Sequence, residues 1–75
     1  MELEYIFRVG DIVEVKRSVG SWRTRNFAPE HGYPRRGMIV CKEEAWVSYD
    51  VLWTDGSMSR GIYLNDNNAR LLIAV

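Results

Sequence analysis

Apolar and polar residues alternate with a two-residue period in several short runs of this chain, and turn-forming residues separate the runs. In Asp11-Ile-Val-Glu-Val-Lys16, Val13 and Val15 alternate with Glu14 and Lys16, as a half-buried strand requires. Gly10-Asp11 ahead of it reads as a turn. Met38 to Lys42 continues the pattern, with Ile39 and Cys41 expected inward. Ala45 to Trp53 is the clearest run: Val47, Tyr49, Val51 and Trp53 share one face, and Trp46, Ser48, Asp50 and Leu52 share the other. Thr54-Asp-Gly-Ser57 supplies the positive φ of a tight hairpin turn. Met58 to Tyr63 and Arg70 to Ala74 complete the series, joined by Asn65-Asp-Asn-Asn68, which suits a single 3₁₀-like turn. The expectation is five strands near 11–17, 37–42, 45–53, 58–63 and 70–74, with no long helix. The core should be built on Val13, Val15, Ile39, Val47, Tyr49, Val51 and Trp53.

Between Arg17 and Arg36 the period fails. Ser18, Gly20, Pro29, Gly32 and Pro34 interrupt it, which leaves a loop far longer than a compact domain commonly carries. Trp22, Phe27 and Tyr33 distinguish this segment from a solvated linker, which seldom holds aromatics.

Size limits what such a chain can do. Seventy-five residues make one domain spanning 1–75. A chain of this length buries only roughly 60% of its unfolded surface, so a sheet rolled towards a barrel is an economical solution because it removes exposed edges. The three Trp, four Tyr and two Phe suit strands and binding surfaces alike. Cys41 is the sole cysteine, so no internal disulfide can form and a reducing, cytoplasmic setting is expected. The acidic start, MELEYIF, lacks the basic and apolar regions of a secretory signal. No apolar run is long enough for a membrane span.

Charge sharpens the picture. The net charge is zero, yet six basic residues lie between Lys16 and Arg36 against the single acid Glu30. The chain is bipolar.

Four stretches, Val9-Gly-Asp-Ile-Val-Glu-Val15, Arg36-Gly-Met-Ile-Val40, Tyr49-Asp-Val-Leu-Trp-Thr-Asp-Gly56 and Arg70-Leu-Leu72, occur in the order strand, long loop, strand, strand, hairpin, strand, short last strand. This layout resembles the SH3-like small β-barrel superfamily in its KOW- and Tudor-like versions and in small phage or bacterial barrels. The resemblance implies an all-β, five-stranded barrel with a long first inter-strand loop. It implies little about function, since this barrel serves many unrelated roles. The Ala-Leu-Tyr-Asp-Tyr signature of polyproline-binding SH3 domains is missing. The first loop is longer and more aromatic than in KOW motifs.

Catalytic and metal chemistry find few candidates. His31 and Cys41 are the only soft ligands, short of the four that zinc takes, and one loop histidine offers no triad. No enzyme activity and no cofactor are expected. An aromatic cage from Trp46, Tyr49, Trp53 and Tyr63 competes with ordinary packing, because two of the four alternate onto the core face. The long loop stands out. Arg17, Trp22, Arg23, Arg25, Phe27, Tyr33, Arg35 and Arg36 interleave guanidinium groups with rings. A protein partner is expected, gripped by Arg and aromatic anchors. Nucleic acid is the alternative, through phosphate contacts and base stacking. A third reading folds the aromatics onto the barrel and leaves the arginines solvated.

Overall fold

Alternation in Ile12-Val-Glu-Val15 builds β1 (Ile12–Val15) in the computed structural model, which describes residues 5–22, 32–43 and 47–75. Val13 and Val15 are fully buried while Ile12 and Glu14 are half-buried on the other face. β2 (Arg35–Glu43), β3 (Ser48–Trp53), β4 (Met58–Ile62) and β5 (Ala69–Ile73) follow. All are antiparallel in one sheet ordered β4-β3-β2-β1-β5, so the all-β expectation holds. The sheet is not closed, and β4 and β5 form its two ends. Each strand is displaced from its expected bounds by three residues or fewer. Among the described residues no helix is long and apolar enough to cross a membrane.

The core gathers Phe7, Val13, Val15, Val19, Ile39, Tyr49, Val51, Trp53, Ile62, Leu64 and Ala69. Gly37 lies where β2 passes beneath β3. A Cβ there would stand 2.6 Å from a Val51 methyl and 2.8 Å from the Leu52 carbonyl oxygen, so only glycine permits the close approach. Tyr49 centres the cluster. The Tyr5 and Phe7 rings meet it edge-on with centroids 5.6 and 5.7 Å away, and its hydroxyl accepts the Ile6 N–H at 3.0 Å.

Two expected core positions differ. The β2–β3 register shifts between Ile39 and Cys41, so Ile39 faces the core and Cys41 is exposed, not inward. A β-bulge adds one residue and so reverses the alternation beyond it. Val47 is half-buried and precedes β3 with φ of 51°. That left-handed backbone breaks the extended run, and the strand starts one residue later.

β3 is covered on both faces. Ser48 and Asp50, on the face opposite Tyr49, are buried too. A second register shift sets Arg60 and Gly61 against Asp50. The Asp50 carboxylate accepts the Gly61 N–H at 2.9 Å and lies 3.7 Å from the Arg60 guanidinium, which offsets the cost of burying it.

Asp11 is the other buried acid among the described residues. One carboxylate oxygen accepts the Arg8 N–H at 2.8 Å and the other accepts the Val75 N–H at 2.9 Å. Its backbone carbonyl accepts the Ile39 N–H at 2.9 Å. The Arg8 and Val75 amides hold its carboxyl below the usual carboxylate range, against the opposing effect of burial.

Two expected outcomes follow from this packing. Val51→Ala should cost about 1–3 kcal/mol in urea unfolding through lost burial and a residual cavity. Leu52→Ala, one residue along on the partly exposed face, should cost clearly less, about 1 kcal/mol or below. Equal losses would contradict the register. A depressed carboxyl pKa contributes stability that is present above the unfolded value and lost as pH falls through the folded one. The melting temperature of the parent should therefore drop as pH is lowered below about 4. Asp11→Asn should be less stable at neutral pH and should flatten that dependence. A slope unchanged in the variant would remove Asp11 from this role.

Candidate binding surface

The long loop spans residues 16–34, between β1 and β2, and both of its ends are fixed. As it leaves β1 it runs along the outer edge of β4. The Tyr63 N–H donates to the Gly20 carbonyl at 3.0 Å, the Trp22 N–H donates to the Gly61 carbonyl at 3.1 Å, and Ser21 bridges Ile62. Trp22 Nε1 donates to the buried Ser48 hydroxyl at 2.6 Å, and 38% of the residue remains exposed. The returning end passes through Tyr33, which packs against the core. Burial raises the Tyr33 hydroxyl above its ordinary pKa, opposed by the nearby Ser18 side chain and the Arg35 charge.

Arg35 and Arg36 belong to β2 rather than to the loop, because they pair with Val15 and Glu14. They form one wall of an open cleft of about 650 Å³. Gly32 and Pro34 add the loop side, Thr54 and Asp55 the β3–β4 hairpin, and Glu14 the floor at β1. Arg35 is restrained: its guanidinium lies 5.1 Å from the Trp53 ring centroid and 2.8 Å from the Asp55 carboxylate. Asp55 in turn accepts the Ser57 hydroxyl and N–H, at 2.5 and 2.9 Å. Those two bonds, with Arg35 added, hold its carboxyl below the usual range despite some desolvation.

Arg36 is freer. Its side chain is 65% exposed, and its Nε lies 3.4 Å from Glu14. Glu14 also receives Arg70 Nε of β5 at 3.0 Å, so a single carboxylate spans two guanidinium groups on neighbouring strands. Desolvation favours its neutral form, but Arg70 and then Arg36 outweigh it and keep the carboxyl below its ordinary pKa.

The expected site is thus divided. Trp22 contacts Ser48, at the start of β3, whereas Arg35 stacks on Trp53 at its end. The strand rise puts those ends roughly 17 Å apart. Arg17 is exposed just beyond β1. Arg23, Arg25 and Phe27 lie outside the described residues, as do His31 and Trp46. Of the remaining cage candidates, Tyr49 and Trp53 are buried in the core and Tyr63 is partly exposed. Sequence reasoning missed Glu14 and Asp55 as members of the site. Asp55 carried a turn signal and Glu14 a strand signal, but neither indicated which arginine it would meet.

Cys41, Glu43 and Asp50 bring their ligand-type atoms within 4.8 Å of one another. The buried Asp50 carboxylate is already engaged with Gly61 and Arg60, so the group is assigned to the bonding of the sheet itself. Comparison of the chain with protein-family models, curated proteins and solved structures gives no match.

Because the bulge turns Cys41 outward, a disulfide reagent such as Ellman's should modify one thiol per chain in the folded protein. Modification that waits for denaturant would return Cys41 to the interior.

Proposed function

We propose that the protein is a non-catalytic interaction module of SH3-like type that binds a protein partner at the arginine-walled cleft and the adjoining long loop. The observation that carries this reading is Arg36, 65% exposed on the wall of an open cleft beside an Arg35 already restrained by Trp53 and Asp55. Arginine is a favoured anchor, and for Arg35, already held by Trp53 and Asp55, part of the ordering cost is met before binding. The strand order β4-β3-β2-β1-β5 with a long first loop supports the SH3-like reading. In the proposal Arg17, Trp22, Arg23, Arg25, Phe27 and Tyr33 extend the contact along the loop, in a cytoplasmic setting.

The lining of the cleft favours protein over nucleic acid. Glu14 and Asp55 line the same cleft as Arg35 and Arg36, and fixed carboxylates oppose a phosphate backbone. Both carboxyls are held below their ordinary range, Asp55 by Ser57 and then Arg35 and Glu14 by Arg70 and then Arg36, which suits hydrogen-bond acceptance from a partner and does not suit proton donation in catalysis.

The test is capture from lysate by the immobilised protein, with and without nuclease, using the parent and Arg36→Glu. Bound protein should survive nuclease, and the charge reversal should weaken its capture about tenfold or more, equivalent to roughly 1.4 kcal/mol. Arg23→Ala with Arg25→Ala should weaken it comparably while leaving the melting temperature nearly unchanged. Capture abolished by nuclease would favour nucleic acid. Undiminished capture by both variants would move the site elsewhere.

A further inference from the structure

The two ends of the sheet are treated differently. The outer edge of β4 is covered by Gly20–Trp22, whereas among the described residues no segment pairs with the outer edge of β5. The hydrogen-bonding phase of β5 shows what that edge offers. The Lys16 N–H donates to the Asn68 carbonyl at 2.7 Å, and the register runs on through Val15–Ala69, Glu14–Arg70 and Val13–Leu71. Antiparallel pairs alternate between hydrogen-bonded and non-hydrogen-bonded. Lys16–Asn68 and Glu14–Arg70 are therefore of the first kind, and Val13–Leu71 is of the second. Arg70 spends its backbone groups on β1, and Leu71 turns its N–H and C=O towards the free edge.

Side chains beside that backbone carry a charge preference. Across β2, β1 and β5 the row Arg36–Glu14–Arg70 alternates in sign. Glu14 is the sole carboxylate meeting Arg70 among the described residues, and it takes the Nε while 60% of the Arg70 side chain stays exposed. The next strand in the row is electrostatically completed by an acid. On the opposite face, Leu71 is 47% exposed and needs an apolar neighbour.

We infer that the outer edge of β5 is a strand-addition site for an extended acidic–apolar segment of a partner protein, with a carboxylate opposite Arg70 and an apolar side chain beside Leu71. Main-chain bonds to Leu71 supply the attachment, and the alternate side chains supply the choice. Two devices oppose indiscriminate pairing: the charge on Arg70, and the register shift opposite Ile12 and Val13 that ends regular β5 after Leu71. Pairing with a second copy of β5 would place no carboxylate opposite Arg70, since Ala69–Val75 contains no acid.

The probe is a labelled peptide of alternating Val and Glu, compared with one of alternating Val and Lys. Binding is read by fluorescence anisotropy, and the Leu71 amide by hydrogen exchange in NMR spectra. The Val/Glu peptide should bind and slow Leu71 exchange about tenfold or more at saturation, and the Val/Lys peptide should do neither. Arg70→Glu should invert that preference. Leu71→Pro removes only an N–H that faces outward, a position where an edge strand tolerates proline, and should abolish binding while retaining the fold. If the proline variant does not fold, the charge inversion alone decides the matter. Unchanged Leu71 exchange with both peptides, equal binding of both, or protection of Leu71 by concentration-dependent self-association of the parent would overturn the inference.

Discussion

The five-stranded sheet does not close, and the way its β4 edge is finished by a piece of loop organises much of the molecule. The finishing piece is the first stretch of the long loop, Gly20 to Trp22, bonded to Gly61 and Tyr63. Its seal lets Ser48 and Asp50 be buried on the face opposite the core, because Trp22 and the β4 bulge supply their hydrogen bonds. It also fixes where the loop departs. The Val15–Arg35 pair fixes where it returns. The loop that carries the candidate binding residues is thereby anchored at both ends by the sheet, and the arginines at its return belong to a strand surface.

Much of this was legible in the residues, and the failures share a cause. Val13, Val15, Tyr49, Val51 and Trp53 follow strict alternation and are buried as alternation requires. Cys41 lies just beyond a bulge of one residue, which exchanges the two faces of a strand, and Val47 itself carries the left-handed backbone that interrupts the run before β3. No local pattern marks such a slip, since the bulge is set by how β2 and β3 curl over each other. Asp11 carries only a turn signal in the sequence, yet it is buried, for a similar reason. Its partners include the Val75 amide, 64 positions away.

The candidate site shows the same limit in terms of charge. Arg35 and Arg36 stood out because the segment from Lys16 to Arg36 holds almost no acid. Folding brings the acids from elsewhere: Glu14 from β1 and Asp55 from the hairpin. Linear charge patterning identifies which side chains are available for an ionic surface. The surface itself, an alternating lattice and not a basic patch, is decided by strand register. This matters for recognition, because a lattice discriminates by position whereas a patch attracts by sign.

The Asp11 clasp also bears on how fast such a chain can assemble. Its two carboxylate oxygens hold amides from Arg8 and Val75, while β1 must find β2 across the long loop and β5 from the far end of the sequence. Each of those contacts requires a large loop to close before it contributes stability. Topologies dominated by such distant pairings fold on the order of milliseconds to seconds, slower than local ones of equal stability. A hairpin such as β3–β4, closed by Asp55 and Gly56, can form within roughly 10 microseconds. The Val75 half of the Asp11 clasp is then a late contact, made only when β5 has docked on β1, and its loss would accelerate unfolding more than it slowed folding.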